Sequence, residues 1–185
     1  MPSTSKASRF FELVDQREFA LCQAINRSLR FRPIKSYFHV VSKLGDGWFW
    51  YALILSLPLL EPEAGPAFAL MMTFTGLTCT LLYKALKNWL VRERPFISFP
   101  VIHCATPPLD RYSFPSGHTL HAVCFQVMLF TVLPGLAWAV LPFTLSVAAS
   151  RVILGLHYPS DVAVGALIGG GLGWAALHLV GYGLV

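Results

Sequence analysis

Five apolar segments separated by short polar stretches dominate this chain and decide what it can fold into. They lie at residues 48–60, 67–90, 119–133, 136–156 and 162–179. Charged residues make up 12% of the chain, which is about half of their usual share in soluble proteins. Apolar stretches that approach the width of a lipid bilayer are typical of transmembrane helices. We therefore predict an all-α, polytopic membrane helix bundle with about five transmembrane helices, one for each segment.

The first segment is short for a membrane crossing, and Gly45-Asp46-Gly47 stands just before it. We predict that these residues break the chain, and we interpret Asp46 as a turn or cap residue. The span then either borrows residues that precede Gly45 or crosses a thinned part of the bilayer.

Residues 8–30 have a different pattern, because they carry too many charges to cross a membrane. Their apolar side chains nevertheless recur at roughly helical spacing, at Phe11, Val14, Leu21, Ile25 and Leu29. This pattern predicts an amphipathic helix on the membrane surface, and a helix packed on the protein's own surface is the alternative. The chain, 1–185, is then a single domain with an interfacial helix at 8–30 and a transmembrane bundle at 46–183.

The remaining composition argues against several other classes of protein. No cleavable signal peptide is expected, because basic residues interrupt the N-terminal region. The four cysteines form no Cys-x-x-Cys pair, so neither a disulfide framework nor a zinc site is expected. The net charge of +5 is assigned to contact with anionic lipid head groups and not to nucleic acid. Glycines in the last segment are assigned to close helix packing, at Gly165, Gly169, Gly170, Gly171 and Gly173.

Nearly all ionisable residues near the apolar segments fall at one end of the predicted bundle. With five spans, the end of the second segment, the start of the third, the end of the fourth and the start of the fifth share one membrane face. These ends carry Lys87, Arg94, Pro115-Ser116-Gly117-His118, Ser150-Arg151, His157 and Asp161. Because charged groups at membrane depth are costly, this convergent set predicts a functional site.

The residue types in this set are those that bind a phosphate group. Ser116 suits the N-cap of the third transmembrane helix, Gly117 lets a ligand approach the backbone, and the first helical turn offers N–H donors. Lysine supplies a compact ammonium group, and arginine supplies a planar fork that fits phosphate oxygens. We therefore predict that the substrate phosphate is bound by Lys87, Arg94, Ser116, Gly117 and Arg151.

Two histidines face this anion site and can divide the chemistry between them. Asp161 follows His157 by four residues, and its carboxylate can fix the imidazole tautomer and stabilise the protonated ring. We predict that His157 attacks phosphorus to form a phosphohistidine, and that His118 protonates the leaving oxygen and then activates water. No carboxylate cluster suited to magnesium is visible, so no metal or other cofactor is expected. Supporting roles around the site are assigned to Pro115, Ser150 and His121.

Together the three motifs resemble the signature of the type 2 phosphatidic-acid phosphatase superfamily. The matching positions are, in order, Lys87-x6-Arg94-Pro95, Pro115-Ser116-Gly117-His118 and Ser150-Arg151-x5-His157-x3-Asp161. The resemblance implies a metal-independent, helical membrane phosphatase that acts through a phosphohistidine, with the roles given above. Members of this family often have six spans, whereas five spans and a surface helix are expected here.

The leading hypothesis is a lipid phosphatase, whose substrate is phosphatidate, phosphatidylglycerol phosphate, or a polyprenyl phosphate or diphosphate such as undecaprenyl pyrophosphate. Phosphate transfer from one lipid to another acceptor through the same intermediate is the enzymatic alternative. A non-catalytic lipid-phosphate binding or transport protein is the third hypothesis, and it does not need His157 backed by Asp161. The expected partners are the substrate and membrane lipids, without nucleic acid, and a homo-oligomer stays open.

The charge distribution predicts which way the site faces. All 14 Lys and Arg residues fall on the active-site side of the five-span arrangement, whereas the first turn on the other side carries Glu61 and Glu63. By the positive-inside rule, the site faces the cytoplasm, in the cell membrane of a bacterium (the inner membrane). Arg92 and Arg111 are interpreted as anchors in the membrane interface and not as ligands of the site.

Overall fold

Eight α-helices follow one another within residues 6–181, the part of the chain that the computed structural model describes, with side chains from Phe10 onward. No strand occurs within this part. The helices are α1 (Lys6–Asn26), α2 (Arg32–Lys43), α3 (Phe49–Leu60), α4 (Gly65–Leu90), α5 (Pro95–Ser98), α6 (Gly117–Val132), α7 (Pro134–Ile153) and α8 (Pro159–Leu179). The prediction of an all-α membrane helix bundle is confirmed, although its last two residues, 182 and 183, lie outside the described part.

The bundle is built around α6. Helices α4, α7 and α8 are long and apolar enough to cross a membrane, and α6 is a shorter apolar helix of 16 residues. Leu120, Met128 and Leu129 of α6 are completely buried, and α3, α4, α7 and α8 contribute side chains to the same hydrophobic core. The chain is therefore a multi-pass membrane protein.

The predicted first span corresponds to one kinked unit made of α2 and α3. A wide helical turn, Leu44–Trp48, joins the two helices, and Gly47 within it has a φ of 138°. Glycine adopts this backbone conformation readily because it has no Cβ atom, so the chain bends here. The predicted break is therefore a kink within continuous helical turns, so the helical path extends before Gly45, and a membrane crossing by α2 and α3 stays a prediction.

Glycines spaced four residues apart on α8 let it pack directly against α6. A Cβ atom at any of them would approach a backbone carbonyl oxygen of α6 or its N-cap to 2.7 Å or less, so no side chain fits there. This contact holds the first turns of both helices together, and the Ser116 amide donates a hydrogen bond of 3.1 Å to the Asp161 carbonyl. Gly171, in contrast, has no such neighbour within 4 Å. The assignment to packing is confirmed for Gly165, Gly169 and Gly173.

α1 packs on the protein itself, where α7 leads into α8. The Asn26 side chain fixes its end by donating hydrogen bonds of 3.0 Å to the backbone carbonyls of His103 and Ile153. The buried face differs from the predicted one, because Leu21 is half exposed and Asp15 is buried. Of the two alternatives, packing on the protein's own surface is observed, and contact of this helix with a membrane stays a prediction.

Candidate active site

The predicted site residues converge on one cavity of about 530 Å³ at the end of the bundle where α4 ends and α6 begins. Its cationic end is lined by Lys87, Arg94, His118, Arg151 and His157. Most of the other lining is apolar or aromatic and comes from α3, α4 and α6, with Trp50, Ile54, Leu55, Met72 and Phe125. In the described part of the chain, no group of three or more His, Cys, Asp or Glu side chains is arranged to hold a metal ion. One cavity thus joins an anion-binding end to a hydrocarbon-like end.

The Pro115-Ser116-Gly117-His118 stretch forms the start of α6. Ser116 is the N-cap, and its hydroxyl oxygen lies 3.5 Å from the Thr119 amide and 3.0 Å from the Thr119 hydroxyl. This hydroxyl is buried and holds the helix end, whereas Gly117 and His118 line the cavity. Ser116 therefore acts on the site through the helix cap, and phosphate binding by the first-turn amides of α6 stays a prediction.

His157 and Asp161 lie side by side where α7 leads into α8. His157 Nδ1 is 3.5 Å from Asp161 Oδ2 and has no hydrogen-bond partner among the described residues. The carboxylate is held by other groups, since Oδ2 accepts from the Tyr158 amide at 2.9 Å and Oδ1 accepts from Arg92 at 2.5 Å. The other ring nitrogen, His157 Nε2, is 3.4 Å from Arg94 Nη1. The structure thus brings the predicted pair together, with Nε2 on the side of the predicted phosphate-binding cations.

Burial among cations sets the protonation state of His157. Burial and the charges of Arg94, Lys87 and Arg151 hold the pKa of this ring well below its usual value. The ring is therefore neutral at neutral pH and keeps a lone pair on one nitrogen. A neutral imidazole is the form that can attack phosphorus.

Lys87 and Arg94 both bind one carboxylate, that of Asp110 in the loop before α6. Lys87 Nζ donates to its two oxygens at 2.7 and 2.9 Å, and Arg94 Nη2 donates to Oδ1 at 2.8 Å. Burial raises the pKa of Asp110, but the hydrogen bonds and charges of Lys87 and Arg94 outweigh it and lower the pKa overall. The two cations that are predicted to bind phosphate therefore bind a carboxylate of the protein itself. The sequence contained no signal for Asp110, because its spacing does not connect it to the three motifs.

Arg151 has an unused donor at the cavity. Ser150 orients it, because the Ser150 hydroxyl accepts from Arg151 Nε at 2.9 Å and donates to the Val147 carbonyl at 2.6 Å. Arg151 Nη2 is buried and has no hydrogen-bond partner within the described residues. Because an unsatisfied buried donor on a charged group is costly, this atom indicates an anionic ligand.

Arg92 is not the interface anchor that its place in the sequence suggested. Its side chain is 1% exposed and lies between α1 and the start of α8. The guanidinium donates to Asp161 at 2.5 Å, to Asp15 at 2.7 and 2.9 Å, and to Glu18 at 3.0 Å. One arginine thus joins the carboxylate behind the predicted nucleophile to two carboxylates of α1. Acidic residues on α1 were the only sequence signal for this contact, and they named no partner.

His118 also has a carboxylate partner that its motif did not reveal. Its Nε2 lies 2.6 Å from Asp46 Oδ1, in the kink between α2 and α3. Asp46 does lie in a turn between two helices, but its side chain caps neither of them and reaches across to α6. His121, one turn further along α6, contacts the Gly117 carbonyl at 2.8 Å and the Thr80 hydroxyl at 3.1 Å, and so it packs α6 against α4.

Known proteins resemble this chain along most of its length. The family model of the PAP2 superfamily matches residues 66–183. The decaprenylphosphoryl-5-phosphoribose phosphatase of Mycobacterium tuberculosis is 31% identical over 180 residues, which cover 93% of this chain and 95% of that protein. The bacitracin transport permease protein BcrC of Bacillus licheniformis is 40% identical over 78 residues, which cover 41% of this chain and 37% of that protein.

The fold is shared as well as the sequence. The crystal structure of LpxE from Aquifex aeolicus is similar with a TM-score of 0.76 and 26% identity, over 87% of this chain and 94% of that one. The region matched by the family model contains all three motifs that line or support the cavity. The chain therefore belongs to the PAP2 superfamily, and it is a phosphatase, an enzyme that hydrolyses phosphate esters.

Proposed function

We propose that this protein is an integral-membrane lipid phosphatase that hydrolyses a lipid-linked phosphate or diphosphate through a phosphohistidine intermediate. The observation that carries this proposal is the cavity, which has cations and two histidines at one end and apolar walls elsewhere. A substrate with a phosphate head group and a hydrocarbon tail satisfies both parts at once. Similarity to a decaprenyl-linked phosphatase over nearly the whole chain favours a polyprenyl-linked substrate over phosphatidate or phosphatidylglycerol phosphate.

In the proposed reaction, His157 Nε2 attacks phosphorus while Lys87, Arg94 and Arg151 bind the non-reacting oxygens. The bond between phosphorus and the leaving oxygen breaks, and His118 gives that oxygen a proton. Water then attacks the phosphohistidine, His118 takes a proton from this water, and the N–P bond breaks to release inorganic phosphate. The three cations stabilise the charge that develops on the phosphoryl oxygens in both steps.

Phosphate release from a panel of purified lipid phosphates, in detergent with a chelator and no added metal, tests the proposal. We expect release from a polyprenyl phosphate or diphosphate, and a loss of about a thousandfold or more in His157→Ala, since the nucleophile is removed. His103→Ala is the matched control, because His103 is exposed and outside the cavity. Full activity in His157→Ala would overturn the assignment of the nucleophile.

Two further measurements separate the remaining hypotheses. An acid-labile, alkali-stable phosphate adduct on the wild-type protein, absent from His157→Ala, is expected for a phosphohistidine. Candidate acceptor lipids are then added to the assay. Phosphate that appears on the acceptor lipid and not in solution would show that the reaction is phosphotransfer and not hydrolysis. Binding of a lipid phosphate without turnover would support a binding or transport protein instead.

We also infer that the site faces the cytoplasm of the cell membrane. Basic residues lie on the side of the cavity, whereas the turn between α3 and α4 carries Glu61 and Glu63. In a Cys104→Ser background, Pro62→Cys should react with an impermeant maleimide on intact cells, and Ser36→Cys should react only after permeabilisation. The reverse pattern would place the site on the outer face.

A further inference from the structure

A carboxylate directly contacts the histidine that acts as general acid in the proposed reaction. The distance of 2.6 Å between His118 Nε2 and Asp46 Oδ1 is that of a short, charge-assisted hydrogen bond. Within the described part of the chain, it is the only hydrogen bond that the Asp46 side chain makes. A carboxylate that served only to cap or turn the backbone would bind nearby amides. The side chain of Asp46 is therefore committed to His118.

The backbone around Asp46 is shaped for this contact. Gly47, with its φ of 138°, bends the chain between α2 and α3. On the other side, Gly45 packs so closely that a Cβ atom there would lie 3.2 Å from Val147 and 3.7 Å from the His118 ring. Because neither glycine has a side chain, the kink reaches the ring and presents the acidic residue between them.

The contact suits a histidine that gives and takes a proton. A carboxylate on one imidazole nitrogen fixes the tautomer and stabilises the protonated ring, which leaves the other nitrogen for the substrate. The negative charge of Asp46 lies directly against the ring of His118, in a cavity that Arg151 also lines. With Nε2 bound to Asp46, Nδ1 is the ring nitrogen without a hydrogen-bond partner among the described residues.

We propose that Asp46 is a positioning residue for the general acid, so that this site contains two carboxylate–histidine pairs. Asp161 backs the nucleophile His157, and Asp46 backs His118. This role rests on the proposed function, because it requires that His118 protonates the leaving group. In the first step the proton moves from His118 Nδ1 to the departing oxygen, and the ring keeps its Nε2–H on Asp46. In the second step the attacking water returns a proton to Nδ1, so the pair is unchanged after one cycle.

A pair of substrates that differ in the leaving group distinguishes this role from a structural one. A lipid alcohol must be protonated as it leaves, whereas p-nitrophenyl phosphate releases a stable phenolate that needs no proton. We expect Asp46→Asn to lower kcat on a lipid phosphate about a hundredfold, and on p-nitrophenyl phosphate less than about fivefold. Asp46→Glu, which keeps the carboxylate, should recover part of the activity on the lipid phosphate.

His118→Ala is the reference in this experiment, and it should show the same selective loss. Glu63→Gln removes a carboxylate in the exposed turn at the other end of α3 and α4, and it should behave as the wild type.

Selective loss in His118→Ala but not in Asp46→Asn would overturn the role of Asp46 and leave the proposed function intact. Absence of selectivity in both variants would also overturn the role of His118. Equal loss on both substrates in Asp46→Asn, with His118→Ala selective, would mean that Asp46 only supports packing. If Asp46→Asn does not fold, Asp46→Glu is compared on the two substrates, and equal changes on both would contradict the inference.

Discussion

The carboxylate of Asp110 occupies the cations that are predicted to bind phosphate, so its removal should make the protein bind inorganic phosphate more tightly. It accepts three hydrogen bonds of 2.7 to 2.9 Å from Lys87 and Arg94, whose side chains are only 6% and 3% exposed. A phosphate that takes both cations must displace this carboxylate or share them with it. Asp110→Asn keeps the size of the side chain and removes its charge.

The contacts set the size of the effect. Hydrogen bonds between charged groups contribute about 1.5–3 kcal/mol each when they are protected from water. The Asp110 side chain is 36% exposed, however, and exposed ion pairs contribute about 1 kcal/mol or less. We therefore expect the free energy of phosphate binding to be about 1 kcal/mol more favourable in Asp110→Asn. This corresponds to an inhibition constant for phosphate that is about fivefold lower.

The assay is competitive inhibition of lipid phosphate hydrolysis by inorganic phosphate, at fixed ionic strength. Glu93→Gln is the matched control, because Glu93 is an exposed acid just after α4 and its removal changes the net charge equally. An unchanged inhibition constant in Asp110→Asn, or a higher one, would refute the competition. Asp110 would then serve to hold Lys87 and Arg94 in place for the substrate.

Three other predictions concern the groups that support the site. Arg92→Lys should lower kcat by about 10- to 100-fold with little change in KM, since Asp161 loses the guanidinium that binds its Oδ1, and a change in KM alone would contradict this role. His157 stays neutral in the folded protein while the unfolded ring gains a proton below about pH 6.5, so stability should fall as the pH decreases. Between pH 7.5 and 5.5, this group should lower the free energy of unfolding by about 1.4 kcal/mol. Thermal unfolding should not show this loss in His157→Asn, and an equal loss in both proteins would contradict the prediction. Gly169→Ala should lower the free energy of unfolding by about 1–3 kcal/mol, because its Cβ atom collides with α6, whereas Gly171→Ala, in open space, should be neutral.

The sequence was informative where the chemistry depends on neighbours in the chain. The apolar segments predicted the bundle because each one forms its own helix, whose apolar side chains can be buried. Ser116 was predicted as an N-cap from its residue type, and the structure shows it capping α6. His157 and Asp161 were expected to meet because Asp161 follows His157 by only four residues, and they lie 3.5 Å apart. The amphipathic pattern at 8–30 was less informative, because it allowed two packing surfaces.

The sequence by itself determined the helical membrane class, the three motifs and the end of the bundle at which they meet. Only the tertiary structure decided which acid serves which cation or histidine, since the partners lie far apart in the chain. Asp46 is 72 residues from His118, Arg92 is 69 from Asp161, and Lys87 is 23 from Asp110. Such contacts depend on how helices are placed against one another, through the kink at Gly47 and the glycine contacts of α8. Local spacing carries no information on these placements, because they arise from packing between segments that are distant in sequence.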